Sequence, residues 1–289
     1  MLDIILSQAA NGLVLGFLYV LIAVGLSIIF GMLGIVNFAH GAFFALGAYF
    51  ALVFAREFGW GAALAAPVVV GVIGMVVEMA LVRRLYGTEP LLSLILTFAL
   101  GLLIESLLRL VFGGAPLPFG TPKPLTGFLV WGPVLITRYR IVVLLVTAAA
   151  LTAFWLFLSF TPFGRIVRAG SRDPEMVGLL GIDLPIVLTG VFGVGCMLAG
   201  LAGMLAGPLW TVTPTMGMSA IMPAFVIVTI GGLGSYAGAI VAGLLVGLVT
   251  SMTVQFWPDW SGVAMYLLMA LVLLVRPRGL FGEQWERFE

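Results

Sequence analysis

The sequence predicts an all-α fold: a polytopic bundle of about nine transmembrane helices, some of them short or broken, with one small helix in a cytoplasmic loop. Three observations predict it. Of 289 residues, 62% are hydrophobic and only 9% charged, where a soluble domain carries roughly 25% charged residues. Apolar stretches reach or approach the ~20 residues that a helix needs to cross the hydrocarbon core, and short loops between them hold nearly all the charges. The basic residues fall unequally on the two sets of loops, as the positive-inside bias requires.

Taken in order, the predicted spans cover residues 10–30, 40–55, 60–82, 91–112, 140–160, 186–206, 218–232, 236–256 and 261–275, of which the second and seventh are short. The first is expected to stay in the mature protein. Met1 to Gln8 contains no Lys or Arg, and the apolar run from Ala9 outlasts a cleavable signal core. The whole chain, 1–289, reads as one transmembrane domain. If the carboxyl terminus is cytoplasmic, the inner loops collect Arg83, Arg84, Arg165, Arg168, Arg172, Arg276, Arg278 and Arg287, against Arg56, Lys123, Arg138 and Arg140 outside. That bias places the amino terminus outside and makes the proline-rich stretch 113–140 a structured external loop.

Composition excludes several function classes. A formal charge of +1 without a basic stripe argues against nucleic acid as a partner. The single cysteine, Cys196, can build neither a disulfide framework nor a thiol-rich metal site and reads as a small buried helix residue. No GxSxG elbow, HExxH helix or GxxxxGK[ST] loop occurs, so the chain cannot hydrolyse ATP by the usual loop, and no cofactor or metal is expected on it.

Ionisable groups inside spans are costly, which makes Glu78, Glu105, Arg109 and His40 the default candidates. Glu105 and Arg109, four apart, share a helix face and are expected to pair. Glu78 is expected to pair with Arg83 or Arg84, with a proton-relay role as the rival reading. His40 stands beside Asn37 and Gly41 in a glycine-rich break and is expected to tie it together by hydrogen bonds. A second break covers Ile230 to Tyr236. Both breaks read as cytoplasmic-side turns between a descending and an ascending span, which suggests a parallel internal repeat. Unwound backbone offers donors and acceptors to a polar solute, so Asn37, His40, Gly231, Gly232, Gly234 and Ser235 are the candidate path residues. Glycines four apart, Gly12 with Gly16, Gly203 with Gly207, Gly234 with Gly238 and Gly243 with Gly247, allow close helix approach in lipid.

The loop at 161–185 carries the clearest local design. Asp173 suits a helix N-cap, Pro174 the first helical position, Glu175 the positive end of the helix dipole, and Gly181 a left-handed stop. Met176, Val177, Leu179 and Leu180 make this short helix apolar, and Arg165, Arg168 and Arg172 lead into it. An apolar helix with a basic approach reads either as a docking knob for a soluble partner or as an interfacial helix on anionic lipid.

At VNFAHGAFFALGAY (Val36 to Tyr49), GRIVRAGSRDPEMVGLLGID (Gly164 to Asp183), LAGLAGMLAGPL (Leu198 to Leu209), TPTMGM (Thr213 to Met218), GGLGSYAGAIVAGLLVG (Gly231 to Gly247) and RPRGLFG (Arg276 to Gly282), the chain resembles the permease subunits of branched-chain amino acid ABC transporters. The resemblance is to the first permease of the high-affinity leucine, isoleucine and valine type. It implies a bacterial inner-membrane subunit, periplasmic at its amino terminus, that takes amino acids or similar small polar solutes from a periplasmic binding protein. It also implies a pore shared with a second, homologous permease and two cytoplasmic ATPase subunits that use the ATP. The Asp173 to Gly181 helix would be the coupling helix, with Arg168, Arg172, Asp173, Pro174, Glu175, Met176, Leu179, Leu180 and Gly181 meeting the ATPase. The general importer pattern, Glu-Ala-Ala followed after three residues by Gly, is met only at Glu175 and Gly181, with Met176 and Val177 in place of the alanines. A stand-alone secondary transporter or channel is the alternative, and it would need a coupling carboxylate such as Glu78.

Overall fold

The computed structural model describes residues 1–132 and 134–282; Arg287, counted above among the inner charges, lies outside the described residues. Helix α1 (Leu2–Leu33) is longer than its predicted span, because nothing in its first turns stops a helix and only Gly34, with φ 65° and its N–H on the Phe30 carbonyl, ends it. After a non-helical stretch come α2 (His40–Phe58), α3 (Trp60–Ala63), α4 (Ala66–Ala80) and α5 (Pro90–Phe112). A hairpin of β1 (Phe128–Trp131) and β2 (Val134–Thr137) pairs Phe128 with Thr137 and leads into α6 (Arg138–Phe160). Then follow α7 (Pro162–Gly170), α8 (Pro174–Leu179), α9 (Leu184–Ala206), α10 (Met216–Gly231), α11 (Tyr236–Phe256) and α12 (Ser261–Val275).

Among the described residues, eight helical stretches are long and apolar enough to span a membrane, α3 and α4 together making one, and α10 is a shorter apolar ninth. These match the nine predicted spans, except that α2 runs 19 residues and is not short.

Small residues decide how the helices meet, since lipid removes the hydrophobic drive for helix association and leaves close packing to hold them. α1 and α11 cross antiparallel with their backbones in contact: a Cβ on Gly247 would lie 2.4 Å from the Gly16 backbone, and one on Gly12 2.9 Å from Leu248 Cα. α9 is the hub. Gly195 faces Gly25 of α1, Gly200 faces Gly47 of α2, Gly193 faces Gly71 of α4, and Cys196 packs into the space Gly74 leaves. Cys196 is fully buried, as expected. By contrast α12 buries no residue within the chain.

One end of the bundle carries Arg83, Arg84, Arg165, Arg168, Arg172, Arg276 and Arg278, and is called the basic end below. At the opposite end the loop between α5 and α6 is structured as expected. Leu117 and Val212 exchange two backbone hydrogen bonds (2.9 and 3.2 Å), Trp60 stacks on Phe119 at 4.7 Å, and Arg56 donates to the Pro118 carbonyl at 3.2 Å.

Candidate translocation path and coupling helix

The break after α1 is not a turn at the end of the bundle. His40 Nε2 lies 3.1 Å from the Ile22 carbonyl, eleven residues before Leu33, which places it ~17 Å along α1 from that helix's end at 1.5 Å per residue. Residues 34–39 therefore climb back into the bundle unwound, and α2 begins at depth. This corrects the expectation of a cytoplasmic-side turn; the physical reason is Thr97 on α5. Its Oγ1 accepts from the Phe38 N–H (3.2 Å) and lies within donating reach of the Val36 (3.2 Å) and Leu94 (3.1 Å) carbonyls. Unwound backbone is tolerated at such depth only where protein surrounds it.

The side chains of Asn37 and His40 are fully buried and only partly used. His40 Nδ1 and both polar atoms of the Asn37 amide have no hydrogen-bond partner among the described residues. The His40 side chain fastens the start of α2 to α1 through the Ile22 carbonyl rather than to Asn37, whose carbonyl receives the His40 backbone N–H at 3.3 Å. An unpartnered buried polar group costs about 1–3 kcal/mol, and a cluster of them at one place calls for a functional reason.

The break after α10 is sealed. Gly232 (φ 99°) and Gly234 (φ 80°) make the turn, and Ser235 caps α11 by accepting the Gly238 N–H at 3.1 Å. The chain beyond α12 returns to finish α10: Leu280 N–H donates to the Ile230 carbonyl (2.7 Å) and Phe281 N–H to that of Gly231 (3.0 Å). The backbones touch there, so that a Cβ on Gly232 would lie 2.5 Å from the Gly282 nitrogen. Gly231 and Gly232 are thus enclosed by backbone, whereas Gly234 packs on Gly31 and, with Ser235, opens on a cavity of about 640 Å³ at the basic end. Arg168 and Arg172 line the same cavity. Members of the two predicted residue sets, path and coupling, therefore share one space.

The short helix α8 has the predicted caps. Asp173 Oδ1 accepts the Met176 N–H at 2.9 Å, Pro174 and Glu175 open the helix, and Gly181 takes φ 79° beyond it. Met176, Leu179 and Leu180 are 54%, 82% and 73% exposed, while Val177 is buried and anchors the helix from within. Arg168 donates to the Leu158 and Ser159 carbonyls, so it holds α7 on the last turn of α6.

Glu78 is fully buried and fully engaged: Arg83 donates at 3.4 Å, the Tyr86 hydroxyl at 2.5 Å, and Thr189 also donates. Burial and the bond to Glu78 push the Tyr86 phenol well above its usual range, so it remains a donor. The Arg83 partner was legible in the sequence; Thr189, 111 residues away, was not. Glu105 and Arg109 pair at 3.1 Å as expected.

Residues 8–273 match the family model described as branched-chain amino acid transport system / permease component. The chain is 30% identical to the high-affinity branched-chain amino acid transport system permease protein LivH of Escherichia coli, over 96% of this chain and 95% of that one. It is 31% identical to the corresponding protein BraD of Pseudomonas aeruginosa over the same shares. Escherichia coli LivM, also a permease of that system by name, matches at 26% identity over 92% of this chain and 68% of its own length.

Proposed function

The chain belongs to the branched-chain amino acid permease family, and from that premise we propose that it is the membrane-spanning subunit of an ATP-driven importer for branched-chain or similar amino acids. A periplasmic binding protein delivers the solute, two cytoplasmic ATPases supply the work, and a second homologous permease completes the pore. That LivH and LivM of one organism both match this chain along most of its length supports a paired permease. The chain sits in a bacterial inner membrane with its basic end in the cytoplasm and its amino terminus in the periplasm. It performs no covalent chemistry.

The observation that carries this reading is α8, a helix capped at both ends that holds Met176, Leu179 and Leu180 out to solvent at the basic end. Six residues cannot sustain a helix alone; caps and the Val177 anchor hold it as a rigid knob. Closure of the ATPases moves this knob. Arg168 passes the movement to α6, and the walls of the shared cavity shift with it. Higher in the bundle, Asn37 and His40 offer polar atoms that the fold itself leaves unused, beside mostly apolar walls that do not trap a zwitterion.

Leu180→Asp and Gly181→Asp are expected to abolish copurification of the ATPases while the permease still inserts and stays folded. Normal copurification with both variants overturns the coupling assignment.

A further inference from the structure

Two ion pairs occur among the described residues, and they are built differently. Glu78 is enclosed and receives Arg83, Tyr86 and Thr189 together. Glu105 receives Arg109 alone: Nη2 donates to Oε1 at 3.1 Å, and neither side chain has another partner among the described residues. One carboxylate oxygen and most of the guanidinium are left over, on side chains 20% and 58% exposed. Depth makes this costly. Gly101, one turn before Glu105, packs where α2 begins inside the bundle, so that a Cβ on it would lie 3.7 Å from the Ala39 Cα. Glu105 is still ~10 Å short of the end of α5 at Phe112, at 1.5 Å per residue. Ionisable groups at such depth are penalised by hydrocarbon and face a bundle interior or a water-filled cavity. The spare valences of this pair point to a polar path.

Glu105 also borders a fitted space. It lines a cleft with Gly101 of its own helix, with Phe38, Ala42 and Ala45 at the start of α2, and with Gly217 at the start of α10. The alanines and Gly101 are too small to close the seam between α2 and α5. The cleft measures about 10 Å³, room for roughly one water or for an ammonium group, which matches a water in size. One turn beyond Ala45, the buried Tyr49 hydroxyl has no partner among the described residues, on a ring packed against Phe112 of α5 at 4.7 Å. The Asn37 amide, just before α2, has none either. Unused polar valence thus recurs from the first break along α2 toward the far end of α5.

We infer that Glu105 and Arg109 are the two charge contacts of the passing solute: the pair opens, Glu105 takes the ammonium group of a free amino acid at the cleft, and Arg109, the longer and more exposed arm, takes its carboxylate. An ion pair and a zwitterion are complementary, so one pair becomes two and no charge is left bare during the exchange. The solute's apolar side chain then needs only the apolar walls. This inference rests on the importer reading and names the residues that read both charges of the solute within it.

The test is uptake of labelled leucine by the complete importer, binding protein included, in vesicles with ATP on the ATPase side. Glu105→Gln is expected to lower maximal uptake about tenfold, the scale of one lost charge-assisted hydrogen bond, and Glu105→Asp, which keeps a carboxylate, by no more than about threefold. Arg109→Gln, made at an exposed position, should slow uptake to a similar degree as Glu105→Gln and carries the measurement if the change at Glu105 disturbs folding. Exchanging the two, Glu105→Arg with Arg109→Glu, restores an ion pair but presents its charges to the cleft in reverse order, and uptake is expected to stay low. Recovery of uptake in the exchanged variant, or normal uptake in Glu105→Gln, overturns the inference and leaves the pair a structural one. A wild-type complex that takes up no leucine overturns the importer reading for that solute, and the inference with it; normal uptake by both wild type and Glu105→Gln overturns the inference alone.

Discussion

The two glycine-rich breaks look alike in sequence and are opposite in construction. The one after α10 is closed by backbone: the returning chain donates to the Ile230 and Gly231 carbonyls, and glycines at 232, 279 and 282 let the strands touch. The one after α1 is held by side chains, Thr97 on its backbone and His40 Nε2 on the Ile22 carbonyl, and leaves the Asn37 amide and the other His40 nitrogen without partners among the described residues. A region whose polar groups are all satisfied has one good arrangement; one with spare groups can satisfy them in more than one way. The first kind suits a scaffold and the second a passage.

Three substitutions test this contrast. Gly232→Val introduces a side chain 2.5 Å from the Gly282 nitrogen at φ 99°, and overpacking together with left-handed strain costs roughly 3–4 kcal/mol. A large drop in thermal unfolding temperature in detergent is expected; an unchanged one would mean the seal contributes little. Thr97→Val keeps the volume but strands the Phe38 N–H, at about 1–2 kcal/mol. Hydrogen exchange at Phe38 should quicken while α10 and α11 stay protected, and equal loosening of both breaks would erase the distinction. Asn37→Leu removes an unpartnered amide and is expected to leave the protein as stable or about 1 kcal/mol more so, while solute uptake in vesicles falls. Lost stability would show that Asn37 is structural and that the first break is as closed as the second.

All nine spans were legible because hydropathy over some twenty residues is a strong signal. Depth within the membrane was not. Ile35, Val36 and Phe38 are as apolar as the helices around them, so composition cannot separate an unwound segment from a helical one, and it is the contacts of His40 with Ile22 and of Thr97 with the Phe38 and Val36 backbone that reveal it. The caps of α8 were readable from Asp173, Pro174 and Gly181 because capping is local. The inward turn of Val177 was not, since in a helix of six residues the sequence does not say which face meets the bundle. The glycine pairs were visible as spacing, yet their partners are set by topology: Gly203 rests on the Phe44 carbonyl of α2, and nothing near it in sequence names α2.

The closure of α10 by Leu280 and Phe281 also has a consequence for biosynthesis. A helix inserted into lipid with bare terminal carbonyls is incomplete, and the donors for Ile230 and Gly231 emerge from the ribosome some fifty residues later. Until α11 and α12 have been threaded, that end of α10 must borrow water, headgroups or an insertase. The order of synthesis thus makes the tail the final fastening of the bundle, and a chain arrested before it would present quality-control proteases with an unfinished helix end.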